Sequence, residues 1–138
     1  MLKFFSEEID FKLSYPLKTS QWIKTISKSE GYNLGDLNYI FCSDEYLLEI
    51  NKQYLDHDYY TDIITFDNSE EEGKIEGDIY VSVDRVKENA ETFGADFEVE
   101  MRRVLIHGLL HLMDYTDTSE DLKKVMRAKE DECLLLFK

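Results

Sequence analysis

The chain has 138 residues and a mass of 16.3 kDa, room for one domain over residues 1–138. Sixteen Lys/Arg against thirty Asp/Glu leave a net charge of −14, which excludes a protein that grips long duplex nucleic acid through a basic surface. Apolar residues make up 43% of the chain, so a packed core is expected, and no apolar run approaches the ~20 residues of a membrane span. The segment from Met1 to Glu8 lacks the basic and apolar regions of a secretory leader, so a soluble, cytoplasmic protein is expected. Cys42 and Cys133 then read as reduced, small apolar residues rather than a disulfide.

In chain order, residues 2–13 alternate loosely (Leu2, Phe4, Ile9, Phe11, Leu13) and read as a strand or a bent pair of strands that Pro16 ends. A helix fits 18–30, with Trp22, Ile23 and Ile26 on one stripe and Gly31 as its stop. Residues 37–42 read as a strand, and Ser43-Asp-Glu opens a helix to about Tyr54. Two extended runs follow, 62–66 and 77–82, joined by a loop whose Glu70 to Glu72 read as a solvated charge run. Helices complete the chain at about 83–93, 97–113 and 119–136. Asp96 is the expected N-cap of the second, and Thr118 with Asp121 the capping pair of the third. The fold class is α+β: a small mixed sheet of about four strands packed against about five helices, with a metal site on the penultimate helix.

That site is read from Val104-Leu-Ile-His107-Gly108-Leu-Leu-His111-Leu-Met-Asp114-Tyr-Thr-Asp117. Positions four apart share a helix face, so His107 and His111 present two imidazoles to one point. Asp117 follows where the chain leaves the helix, and a turn there can bring it back as a third ligand. Three side chains leave one position open, the layout of a catalytic rather than a structural zinc, although nickel or another divalent ion suits the same donors. His57, among acids and tyrosines, reads as a surface residue. In the helix motif of zinc proteases, His-Glu-x-x-His, the Glu is the general base. Gly108 stands in its place, which argues against peptide hydrolysis and is expected to leave room for a bulky substrate.

The same residues resemble a known family. The stretch 107–117 is similar to the signature His-Gly-x-Leu-His-Leu-x-Gly-Tyr-Asp-His of the YbeY family of endoribonucleases and rRNA maturation factors. Ile50-Asn51-x-x-Tyr54, then Asp58 and Thr61-Asp62-Ile-Ile-Thr-Phe66, resembles its Leu-Asn-x-x-Tyr-Arg block and the Thr-Asp-Val-Leu-Ser-Phe that follows. Gly77-Asp78-Ile79 with Ser82 resembles its Gly-Asp-Ile-x-Ile-Ser strand. The resemblance implies one zinc ion near a cleft and single-strand-specific cleavage of RNA. It also implies maturation of the small-subunit rRNA 3′ end, ribosome quality control, and the small subunit and assembly factors as partners. Neither membrane nor DNA is implied.

Three positions depart from the family pattern. Asp117 replaces its third His, leaving the site one unit less positive. Asp114 replaces a Gly at a turn that calls for a left-handed backbone. Leu55 replaces an Arg that is a candidate phosphate contact.

The expected activity is metal-dependent phosphodiester hydrolysis, the ion polarising a phosphoryl oxygen or lowering the pKa of its water. Arg102, Arg103, Lys123, Lys124 and Arg127 are candidate RNA contacts, each with a competing reading as a solvated helix-face charge. Asp114, Asp62 and Asp78 are candidate general bases. The alternative function is a non-catalytic ribosome-assembly factor whose metal only pins the last two helices together.

Overall fold

The computed structural model describes residues 1–56 and 59–137, so His57 and Asp58 lie outside the described residues. In chain order the elements are β1 (Leu2–Ser6), α1 (Pro16–Ser29), β2 (Asn33–Cys42), α2 (Asp44–Leu55), β3 (Ile63–Asp67), β4 (Lys74–Ser82), α3 (Val83–Phe93), α4 (Phe97–Leu112) and α5 (Glu120–Leu135). The four strands form one mixed sheet in the order β1-β2-β4-β3. β1 pairs parallel with β2 and β2 with β4, whereas β3 returns antiparallel to β4. The α+β architecture of four strands and five helices is the one expected.

Side-chain alternation sorts the sheet into two faces. Ile75, Ile79 and Val81 of β4, with Leu37, Tyr39 and Phe41 of β2, enter the main core with Trp22, Ile23, Leu105 and Leu109. The opposite face carries Cys42 and Ile64, covered by Leu47 and Ile50 of α2. The polar atoms of two buried aromatic residues reach backbone acceptors: the Trp22 indole donates to the Cys133 carbonyl at 2.8 Å, and the Tyr39 hydroxyl to that of Leu105 at 2.9 Å. Both cysteines are buried and free.

Helix α4 is the centre of the molecule. Met101, Val104, Leu105, Ile106, Gly108, Leu109, Leu110 and Leu112 are all buried, so it is apolar on nearly every side. Glu100, Arg103, His107 and His111, at spacings of three and four, form a polar stripe along it.

Several boundaries differ from the sequence reading. The first strand stops at Ser6, and Glu8 takes a left-handed φ of 60°. Ile9, Phe11 and Leu13 alternate because they pack on the core, not because they pair in the sheet. Helix α1 starts at Pro16, whose missing N–H costs nothing in the first turn. Strand β2 begins at Asn33, paired to β4 across an irregularity between Leu34 and Leu37. That start has no apolar alternation to mark it. The cap of α5 is Ser119, which accepts from the Leu122 amide at 3.1 Å, rather than the Thr118–Asp121 pair.

Gly108 also differs from expectation. It faces the sheet, where a Cβ would lie 2.7 Å from Ile63 Cδ1 and 3.1 Å from Ile79 Cγ2. The glycine lets α4 approach the sheet closely; it does not open space for substrate. Gly108→Glu, which restores the protease motif, is therefore expected to lose about 3 kcal/mol or more through overpacking and a buried charge. Thermal melting should show a fall of roughly 10 °C. A wild-type melting temperature in this variant would refute the packing role.

Candidate metal centre

The helix and the turn after it bring three donor atoms together. His107 Nε2 lies 3.0 Å from His111 Nε2, and Asp117 Oδ2 lies 3.6 Å and 3.8 Å from these two nitrogens. Tetrahedral bonds of about 2.0–2.1 Å place neighbouring ligand atoms about 3.4 Å apart. The observed separations bracket that value, so the group can hold a metal ion. It is the one such group of three among the described residues.

The return of Asp117 depends on how α4 ends. The Tyr115 amide donates to the Leu110 carbonyl at 3.0 Å and the Asp114 amide to that of His111 at 3.2 Å, with Asp114 at φ 69°. This is a Schellman turn, and Asp114 holds the left-handed position expected of it. The turn is pinned from outside as well. The Tyr32 hydroxyl lies 3.1 Å from the Met113 carbonyl oxygen and 3.2 Å from Asp114 Oδ2. The Tyr115 hydroxyl donates to Glu30 Oε1 at 2.5 Å, and Lys129 Nζ lies 3.1 Å from Glu30 Oε2. Glu30 thus ties the end of α1 to the turn and to α5.

The imidazoles sit in unlike environments. Burial pulls His107 down, but the hydrogen bond and charge of Glu130, with Asp117 and Asp62, leave it above its ordinary value. His111 ends below its ordinary value, through burial and then the charge of His107. The second nitrogen of His107, Nδ1, lies 2.6 Å from Glu130 Oε2.

Beside the triad runs a cleft of about 270 Å³, lined by Asp62, Phe93, His107, Asp117, Lys123 and Arg127 among others. Of the three candidate bases only Asp62 lines it, its carboxyl raised by burial and accepting from Asn89 Nδ2 at 3.4 Å. Asp114 turns to Tyr32 and the Glu70–Glu72 side. Asp78 lies on the far face of the sheet and accepts from Asn38 Nδ2 at 3.0 Å.

Among the basic candidates, Lys123, Arg127 and Arg103 line the cleft, while Lys124 does not. Arg103 is held by Glu130 and Asp131 at 3.0 Å and 2.6 Å. Arg102 stacks on the Phe137 ring, 4.3 Å from its centroid. Leu55 ends α2 and does not line the cleft.

Sequence reasoning missed Glu130, Glu100, Asn89 and Phe93. A signal for Glu130 was present: with Met126 and Cys133 it occupies the buried stripe of α5, where a carboxylate is out of place.

The Glu30 clamp carries a pH signature. Its hydrogen bond from Tyr115 lowers the carboxyl pKa, burial opposes this, and Lys129 lowers it again; Tyr115 is pushed up to about 12. A depressed carboxylate stabilises the fold above its unfolded value of 4.5 and ceases to do so as pH falls through the lower folded value. Glu30→Gln is expected to cost about 1 kcal/mol at pH 7. In melts at stepped pH, that gap should close as pH drops below 4.5; a pH-independent gap would contradict the clamp.

Comparison with known proteins places the chain among its relatives. The profile of the family described as Endoribonuclease YbeY matches residues 3–138. The chain is 56% identical to an Endoribonuclease YbeY of Cytophaga hutchinsonii, over 98% of this chain and 94% of that one. It is 50% identical to the Flavobacterium psychrophilum protein of the same name, over 96% and 94%. A solution structure of a Thermotoga maritima protein superposes with a TM-score of 0.73 at 31% identity, covering 99% of this chain and 89% of that one. With a match along nearly its whole length and relatives at half identity or better, the chain belongs to the Endoribonuclease YbeY family.

Proposed function

We propose that the protein is a zinc-dependent endoribonuclease that cuts single-stranded RNA during rRNA maturation, at the small-subunit 3′ end, in the cytoplasm. The observation that carries this reading is the convergence of His107, His111 and Asp117 at metal-fitting distances, with His107 and Asp117 on the wall of a cleft. Their side chains remain 25%, 27% and 40% exposed. A purely structural zinc is enclosed by four protein ligands, so three accessible ones favour a reactive site over the assembly-factor alternative. Two imidazoles and one carboxylate at near-tetrahedral spacing suit zinc.

When bound, the ion supplies the positive charge that polarises a phosphoryl oxygen and acidifies water. The chain's own residues supply the rest. Lys123 and Arg127, one turn apart on α5, are mostly exposed at the cleft and contact backbone phosphates of the RNA. Asp62, facing the same cleft, is the best-placed carboxylate to accept a proton. Because the chain carries −14 overall, binding is confined to this local patch. That suits a short single-stranded segment presented by the small subunit and its assembly factors.

Cleavage of an end-labelled single-stranded RNA should disappear with chelator, return with zinc, and fall at least 100-fold in His111→Ala. Cleavage that survives His111→Ala would sink the enzyme reading. Lys123→Ala and Arg127→Ala are each expected to raise KM about threefold to fivefold, and Lys123→Ala, which touches none of the three donors, to leave bound zinc unaltered, as befits exposed phosphate contacts. Unchanged KM in both would remove them from the RNA path.

A further inference from the structure

Glu130 lies between Met126 and Cys133 on the inward stripe of α5 and is only 4% exposed. A carboxylate this deep is costly unless charge and hydrogen bonds compensate for lost water. Both of its oxygens are engaged, by different groups. Oε2 lies 2.6 Å from His107 Nδ1, and Oε1 accepts from an Arg103 guanidinium nitrogen at 3.0 Å, with an Arg127 nitrogen farther off at 3.8 Å. The other terminal nitrogen of Arg103 donates to Asp131 at 2.6 Å, and the Arg103 side chain is 15% exposed. Arg103, an RNA contact on the sequence reading, thus has its guanidinium spent on two carboxylates.

A neutral imidazole carries its proton on one nitrogen and a lone pair on the other. A carboxylate against Nδ1 keeps the proton there. Nε2 then presents its lone pair to the point that His111 Nε2 and Asp117 Oδ2 also face. We propose that Glu130, oriented by Arg103, is a positioning residue that locks His107 in the Nδ1–H tautomer and so delivers Nε2 to the metal. The proposal rests on the reading of His107, His111 and Asp117 as the ligand set. A carboxylate behind a metal-binding His raises ligand basicity and fixes ring orientation, and its removal costs about 10–100-fold in affinity.

Two substitutions separate this role from packing. In Glu130→Ala the imidazole loses its partner, so zinc affinity is expected to fall about 10–100-fold. Glu130→Gln keeps the shape but has one oxygen, which Arg103 claims. The amide NH₂ then faces Nδ1 and donates to it, which forces the proton onto Nε2, where the metal should bind. The expected order of zinc affinity is therefore wild type, then Glu130→Ala, then Glu130→Gln. A packing role predicts the reverse for the two variants, because the isosteric change is the milder one.

Zinc dissociation constants from competition with a chromophoric chelator test the order. The ¹⁵N spectrum of the metal-free wild type, taken at a pH where His107 is neutral, tests the tautomer without any variant. Cooperative unfolding of the metal-free variants establishes that they fold. Wild-type zinc binding with Glu130→Gln equal to or tighter than Glu130→Ala would overturn the positioning role and leave the ligand set standing. So would an Nε2–H tautomer in the wild type. A wild-type chain that takes up no zinc would overturn the ligand set and this inference with it.

Discussion

A helix buried on nearly all sides must also carry two imidazoles, and the rest of the structure follows from how α4 meets that requirement. Its apolar residues fill the space between the sheet and the other helices, drawn in by loss of water-exposed surface. Gly108 allows the close approach to β3 and β4 on one side. The polar stripe of Glu100, Arg103, His107 and His111 is left on the other, where α5 supplies Glu130 and the cleft supplies solvent. Were α4 rotated, either the histidines would be buried without partners or the leucines exposed.

The third donor atom of the group comes from Asp117, outside the helix, so its position depends on a turn. The Schellman bonds set the direction in which the chain leaves, and Tyr32, Tyr115, Glu30 and Lys129 secure it to two other helices. Asp114 bears the left-handed conformation with a side chain that glycine lacks, and that side chain meets the Tyr32 hydroxyl. Asp117 is thereby delivered by covalent geometry and hydrogen bonds together. The spacing of the three donors along the chain brings them together only because such a turn is stable.

Charge is distributed with the same economy. The acidic surplus lies over much of the surface, while Lys123 and Arg127 stand at the cleft. Arg103 works inward, against Glu130 and Asp131, and Arg102 stacks on Phe137. Four cations of similar appearance in sequence thus sit in three different settings. What separates them is the partner that α5 or the C-terminal residues bring to each.

Periodicity and spacing determined most element types, the α+β class and the helix face that His107 and His111 share, because these are local patterns; a return of Asp117 was legible as a short turn, but contacts from α1 and α5 hold that turn. The family likeness was likewise legible in residues 107–117 and the blocks before them. Tertiary structure alone decided which strands pair, where β2 starts, and that Ile9 to Leu13 pack without pairing, since pairing depends on a distant partner. It alone assigned Gly108 to packing, sent Asp78 to the far face of the sheet, and set Glu130 of α5 behind His107 of α4. A side chain's chemistry is written in the sequence, but its role is set by what stands within about 3 Å of it, and for a buried polar group that neighbour comes from elsewhere in the chain.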